Sequence, residues 1–143
     1  MSKAGPPSRA DYKVFYPIST RWADNDIYGH VNNVTYYSYF DTAANRYLIE
    51  EGGLDIGDGS IVGYVVSSGC EYHAPITYPE PVEAGLRVDR MGNSSVQYGL
   101  AIFRQGGNEA VAHGHFVHVF VNRSENKSVP IPESLRTALE KLR

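Results

Sequence analysis

The sequence has a single cysteine, Cys70, among its 143 residues. One cysteine cannot form an internal disulfide framework or a cysteine-rich zinc site, so neither can hold this chain together. A chain of this length buries roughly 68–70 % of the surface that its unfolded form exposes, which is enough for a core without such links. The length also favours a single domain.

An excess of basic residues and a long apolar run are missing as well. The net charge is −3, whereas nucleic-acid-binding proteins normally carry a basic face, so we expect no nucleic-acid partner. No stretch of about 18 apolar residues occurs, and no basic start leads into an apolar run, so we predict neither a membrane span nor a signal peptide and expect a cytoplasmic protein. Residues 1–11 are predicted to be a flexible tail, ahead of one domain over residues 12–143.

The domain alternates between strand and helix patterns. Residues 13–22 alternate apolar β-formers with polar residues and predict a first strand. Residues 33–51 change to helical spacing and end at Gly52-Gly53, the residue type that stops a helix. The same patterns predict four later strands and a final helix, over residues 61–72 (with a bulge or bend at 67–69), 82–91, 95–104, 109–122 and 130–143.

The long helix has an unusually wide apolar arc. Its predicted members are Val34, Tyr36, Tyr37, Phe40, Ala43, Ala44, Tyr47 and Leu48. Asp41 falls on the same arc. Because the arc is wider than a helix on an open surface needs, the sheet should curve round this helix. We therefore predict an α+β fold in which an antiparallel sheet is wrapped round one long central helix.

The last long strand is apolar on both faces. Val111, Val117, Val119 and Val121 point one way, and Ala112, Phe116 and Phe120 point the other. One helix can cover only one face of a sheet, and a large exposed apolar patch usually marks an interface. We therefore predict a homo-oligomer, either a dimer or a dimer of dimers (a homotetramer).

Two carboxylates, Asp24 and Asp26, stand just ahead of the start of the long helix. A helix N-terminus has unsatisfied N–H groups and a positive dipole end, which can stabilise negative charge on a carbonyl oxygen. A nearby carboxylate can act as a general base towards water or attack the carbonyl carbon directly. This pairing suits acyl transfer from a thioester and needs no metal. Taken alone, Asp and Asn before a helix are more often turn and capping residues.

The run from Arg21 to Tyr36, RWADNDIYGHVNNVTY, resembles the signature of the hotdog-fold thioesterases, Asp-x-Asp-x-x-Gly-His-Val-Asn-Asn-x-x-Tyr. It is most similar to the 4-hydroxybenzoyl-CoA thioesterase-like group and its long-chain acyl-CoA relatives. The resemblance implies a hotdog fold and a hydrolase that converts an acyl-CoA substrate to a free acid and coenzyme A, without a cofactor. It also implies that Asp26 is the catalytic carboxylate and that the N–H at Asn33 polarises the carbonyl.

Further residues of this region are candidates for the substrate site. We assign substrate binding to Tyr28, His30, Asn32 and Tyr36, although turn and capping hydrogen bonds explain His30 and Asn32 equally well. Asp41 is a candidate second carboxylate, because some relatives use a glutamate on the long helix; an acid there more often hydrogen-bonds within the fold. Plant acyl-carrier-protein thioesterases carry an Asn where this chain has Tyr28, so their catalytic roles are not transferred.

Two other functions stay open at this point. A hotdog hydratase or dehydratase would pair a His with an acid, and no such pair stands out on the long helix. A non-catalytic module that binds acyl thioesters is the second alternative. His113 and His115 share one strand face, but no third ligand stands at a suitable spacing, so we predict no metal site.

Overall fold

The computed structural model of the chain describes residues 5–57 and 59–143. Its strands are β1 (Val14–Ile18), β2 (Ile61–Tyr72), β3 (Val82–Met91), β4 (Ser95–Arg104), β5 (Ala112–Asn122) and β6 (Lys127–Ser128). The helices are α1 (Thr35–Glu50), between β1 and β2, and α2 (Glu133–Glu140). Short 3-10 turns lie at Arg9–Asp11 and Trp22–Asp24. No helix in the described ranges is long and apolar enough to cross a membrane.

The strands form one antiparallel sheet in the order β1-β3-β4-β5-β2, with β6 beside β5. The predicted strand bounds are confirmed for β2, β3 and β4. The predicted irregularity in β2 is present one residue earlier, because its register against β5 shifts between Val65 and Ser67. The first strand is shorter than predicted and ends at Ile18, and the two-residue β6 was not predicted.

The sheet curves round α1, which confirms the predicted α+β architecture. The helix buries one continuous face, made of Tyr36, Tyr39, Phe40, Ala43, Ala44, Tyr47 and Leu48. These side chains share one core with inward residues of the central strands, such as Leu86, Leu100 and Phe116. Burial of each large apolar side chain contributes about 1.5–3 kcal/mol, so this contact holds the start of α1 in a fixed place beside the sheet.

The buried face of α1 is rotated relative to the prediction. Tyr39 was left off the predicted arc but is only 5 % exposed, whereas Val34 is 66 % exposed. Asp41 is exposed as well, so its predicted placement on the apolar arc is wrong. The buried residues centre on Ala43, and Asp41 projects from the margin of that face, where a charged group stays in water.

The N-terminal segment covers part of the outer face of the sheet. Tyr12 and Phe103 are buried there, and the Arg9 guanidinium lies 5.0 Å from the centre of the Phe103 ring. The Arg9 N–H also donates to the Asn108 carbonyl at 3.1 Å. Residues 1–4 of the predicted flexible tail lie outside the described residues, so flexibility stays a prediction there.

The outer face of β5 is less covered. Val117 and Val119 are half-buried in the single chain, as the prediction of an apolar outer face requires. Val111 departs from that pattern, because it precedes β5 and packs in the main core.

His118 lies on the inner face of β5, where it is 1 % exposed. Its Nδ1 is 3.0 Å from the hydroxyl of Tyr98, which is also buried. Burial lowers the pKa of His118 to about 4, compared with about 6.5 for a histidine in an unfolded chain. Between these values the unfolded chain binds a proton that the folded chain does not, so stability falls as the pH falls.

We expect His118 to lower the free energy of unfolding by roughly 1.5–2 kcal/mol between pH 6.5 and pH 5. Urea titrations at a series of pH values would measure this, and His118→Gln, which has no titrating group, should lose most of the slope. His113→Gln is measured in parallel, because burial lowers the pKa of His113 too and adds in the same direction. An unchanged slope in His118→Gln would assign the pH dependence to another group.

Candidate active site

The segment between β1 and α1 folds into a compact loop. The Asp26 N–H donates to the His30 carbonyl at 3.0 Å, and the Asn32 N–H donates to the Asp24 carbonyl at 2.8 Å. Gly29 has φ of 86°, a backbone region that favours glycine, so the chain can reverse there without strain. These contacts bring Asp26 back beside the start of the helix.

Asp24 holds this loop to the helix. Its carboxylate is 1 % exposed and accepts hydrogen bonds from the Tyr39 hydroxyl at 2.7 Å and from the Arg21 N–H at 2.9 Å. The Arg21 guanidinium donates to its other oxygen. Burial alone would raise the pKa of Asp24, but the hydrogen bonds from Tyr39 and Arg21 together lower it. These contacts fix the loop against the start of the helix.

Asp26 is the more accessible carboxylate of the pair. Its Oδ1 accepts from the Tyr28 N–H at 2.9 Å, and its Oδ2 accepts from the Asn32 side-chain amide at 3.3 Å. It lines a surface depression of about 410 Å³ together with Trp22 and Ile27, whose side chains are 78 % and 96 % exposed. The carboxylate is therefore oriented by the loop and remains open to an incoming molecule.

Asn33 presents a backbone N–H that donates to no atom in the part of the chain that the structure describes. The carbonyls on either side of it are both held. The Asn32 carbonyl accepts from the Thr35 N–H at 2.9 Å, and the Asn33 carbonyl accepts from the Tyr72 hydroxyl at 2.9 Å. The peptide is thus fixed while its N–H stays free, which is the arrangement that an oxyanion-stabilising group needs.

The side chain of Asn32 connects the two groups. Its amide nitrogen donates to Asp26, and its carbonyl oxygen accepts from the Val34 N–H at 2.9 Å. Asn32 was predicted to cap the helix or to bind substrate. The structure shows a turn hydrogen bond to the Val34 N–H, one residue before α1 begins, and no side-chain cap on the helix itself, so the substrate role stays a prediction.

Asn33 lines a depression of about 350 Å³. The other lining residues are His30, Val31, Tyr36, Tyr72, His73, Ala74 and Pro75. The Tyr36 and Tyr72 rings meet edge to face, with their centres 5.1 Å apart. Burial raises the pKa of Tyr36 to about 12, so its hydroxyl stays neutral at ordinary pH. The depression combines aromatic walls with two imidazoles.

The predicted site residues are not all gathered in one depression. His30 and Tyr36 lie beside Asn33, whereas Asp26 lines the neighbouring depression. Tyr28 is 81 % exposed at the tip of the loop. Asp41 is hydrogen-bonded to the Asn45 side chain on the exposed face of α1, so it lies apart from both depressions.

Sequence reasoning missed Tyr72 and His73. They lie at the end of β2, about forty residues after the motif, and no local pattern distinguishes them from other strand residues. The one sequence feature that could have pointed to Tyr72 and His73 was the predicted end of the strand at residue 72. Within the described residues no group of three or more His, Cys, Asp or Glu side chains is placed to hold a metal ion.

A curved antiparallel sheet round one central helix, with a carboxylate loop leading into a helix start, defines the hotdog class of thioester-processing proteins. Residues 20–139 match the model of the thioesterase-like superfamily. The chain belongs to this superfamily. The predicted family resemblance and hotdog fold are therefore confirmed.

Several solved structures are similar to this chain. The PA5185 protein of Pseudomonas aeruginosa strain PAO1 is 62 % identical over 96 % of each chain, with a TM-score of 0.96. The PA2801 protein of the same species is 32 % identical, covering 87 % of this chain and 95 % of its own, with a TM-score of 0.81. The gentisyl-coenzyme A thioesterase BH1999 is 26 % identical, covering 88 % of this chain and 99 % of its own, with a TM-score of 0.79.

Proposed function

We propose that the protein hydrolyses acyl-CoA thioesters to a free carboxylic acid and coenzyme A. The observation that carries the proposal is the free N–H of Asn33, fixed at the helix start and joined through Asn32 to the accessible carboxylate of Asp26. A thioester carbonyl oxygen at this N–H would be polarised, and the helix dipole would favour the negative charge that develops on it.

Asp26 supplies the nucleophilic half of the reaction. As a general base it takes a proton from water while the water oxygen attacks the carbonyl carbon. As a nucleophile it attacks the carbon itself, and water then hydrolyses the resulting anhydride. In both routes the C–S bond breaks with its electron pair on sulfur, and the free acid and coenzyme A leave.

The substrate class is supported by the lining of the Asn33 depression and by one relative. Tyr36 and Tyr72 provide an aromatic wall for an acyl chain or ring, and Val31 and Ala74 extend the apolar surface. The relative BH1999 is a gentisyl-coenzyme A thioesterase, which supports a coenzyme A ester as the substrate here too.

A thiol-release assay over short, long and aromatic acyl-CoAs tests the proposal. We expect stoichiometric release of coenzyme A from at least one member of the panel. Loss of enoyl absorbance without thiol release would instead identify a hydratase. Binding of acyl-CoA without turnover would identify a non-catalytic module.

We also propose that the working form is a homo-oligomer. The two edges of the sheet differ, because β1 has five residues and includes Pro17, which lacks an N–H, whereas β2 has twelve residues without a proline. Tyr64, Val65 and Val66 on β2 are 44 %, 44 % and 60 % exposed. A long apolar edge of this kind pairs readily with another chain, so β2 is the expected contact between copies, in a dimer or a dimer of dimers.

Val66→Lys should weaken that contact, because a charged residue on a strand edge opposes pairing. We expect the molar mass measured by light scattering to fall towards that of one chain at micromolar concentration. Ile56→Lys is the matched control, since Ile56 is 56 % exposed but lies outside the sheet. A wild-type protein that is already monomeric under these conditions would contradict the proposal.

A further inference from the structure

Two histidines are joined at the end of the sheet where β2 and β5 pair. The Nε2 atom of His73 lies 2.8 Å from the Nδ1 atom of His113. The rings are parallel to within 3°, and their centres are 5.0 Å apart. The distance between the ring centres is close to the distance between the two nitrogens plus the width of one ring. The rings therefore lie side by side in nearly one plane, and not one above the other. An N–H on one ring therefore points straight at the lone pair of the other.

The pair connects two depressions. His73 lines the depression that Asn33 also lines. Its second ring nitrogen, Nδ1, has no hydrogen bond to any residue that the structure describes. His113 lines a different depression of about 330 Å³, and its Nε2 is 3.8 Å from a carboxylate oxygen of Glu71. A proton taken up from water at His113 can thus be passed to the side of the pair that faces Asn33.

The surroundings decide which ring holds an added proton. Burial lowers the pKa of His113, and His73 and Arg87 lower it further, with Glu71 acting in the opposite direction. Charge on His113 is therefore disfavoured, which leaves its Nδ1 as the acceptor for an N–H on Nε2 of His73. The titratable and charged groups around the pair are Cys70 and Glu71 on β2, Arg87 and Asp89 on β3, His115 on β5, and His30, Tyr36 and Tyr72 beside His73.

We propose that His73 is a catalytic acid that protonates the departing thiolate, and that His113 is the positioning residue that shares and resupplies its proton. This inference rests on the proposed thioester hydrolysis. As the tetrahedral intermediate collapses, the C–S electron pair moves to sulfur and the proton moves from His73 to that sulfur. The neutral pair regains a proton from water through His113, and Asp26 releases the proton that it took from the attacking water. The balance is one thioester and one water consumed, with one acid and one thiol formed.

The dependence on the leaving group tests this role. An alkyl thiolate such as that of coenzyme A is a stronger base than a thiophenolate, so it benefits more from protonation as it leaves. We expect His73→Gln to lower kcat on an acyl-CoA by about 10²-fold, but to lower kcat on the thiophenyl ester of the same acid by less than about threefold. Folding defects cancel in this ratio, because both substrates are measured on one variant.

Equal losses on the two substrates would overturn the role of His73 as an acid. If the wild type releases thiol from neither ester, the proposed function fails, and this inference fails with it.

His113→Phe keeps a ring but removes the nitrogen that accepts from His73, so it should move the alkaline limb of the kcat–pH profile to lower pH. His115→Phe, on the same face of β5 and not bonded to His73, is the matched control; a shift as large in that variant would remove His113 from the mechanism.

Discussion

Replacing Asp26 with asparagine is expected to lower kcat for acyl-CoA hydrolysis by roughly 10²–10⁴-fold, the range for the loss of a group that transfers a proton in the transition state. An amide has the shape of the carboxylate, and its oxygen can still accept the hydrogen bond from the Tyr28 N–H. Its NH₂ group then faces the Asn32 amide, but this site is open to water, so the lost contact costs little stability. It cannot take a proton from water or form an anhydride. The loss should therefore appear in kcat, with the loop and the fold preserved.

Asp41→Asn is the matched control for Asp26. Asp41 is exposed and bonded to Asn45 within α1, so its charge can be removed without affecting either depression. We expect wild-type kcat for Asp41→Asn and unchanged thermal unfolding for both variants. Full activity in Asp26→Asn would remove Asp26 from the mechanism. A large loss in Asp41→Asn would instead support Asp41 as a second catalytic carboxylate.

The elements that could be predicted are those whose bounds are marked by the residues of the element itself. The bounds of β2, β3 and β4 follow from runs of β-forming residues that end at glycine and proline turn signals, and in β3 apolar residues alternate with charged ones. The buried face of α1 was harder to place. Tyr39, which the predicted arc left out, is buried, and Asp41, which it included, is exposed, since the curvature of the sheet decides which margin of a wide apolar arc is covered. That curvature depends on tertiary packing, and the spacing of apolar residues along the helix does not specify it.

The candidate site divides in a similar way. The loop with Asp26 and Asn33 is contiguous in the chain, so its motif could be recognised directly. Tyr72, His73 and His113 come together only through the register of β2 against β5, in which Tyr72 lies opposite Ala112. A shift of one residue would turn these side chains to the other face. No feature of either strand's own sequence specifies that register, so this part of the site required the structure.

The two aspartates of the motif should differ sharply when each is changed to asparagine. Asp26 is accessible and accepts two hydrogen bonds, one at each oxygen, whereas Asp24 is buried and accepts three. At Oδ2 the donors are the Tyr39 hydroxyl and the Arg21 N–H, and at Oδ1 the donor is the Arg21 guanidinium. An asparagine can offer an acceptor on only one side. Whichever way its amide turns, its NH₂ group faces another donor.

Asp24→Asn is therefore expected to lower the free energy of unfolding by about 3 kcal/mol, because a buried charged acceptor is lost and its donors are left unpaired. The midpoint of thermal unfolding should fall by about 10 °C.

Tyr39→Phe removes one of these donors, so Asp24→Asn should cost less in that background, with a coupling energy of about 1–2 kcal/mol in the double-mutant cycle. Additive effects would show that the Tyr39 hydroxyl does not contribute to holding Asp24. Residual activity per folded molecule should stay near that of wild type, since Asp24 holds the loop and Asp26 performs the chemistry.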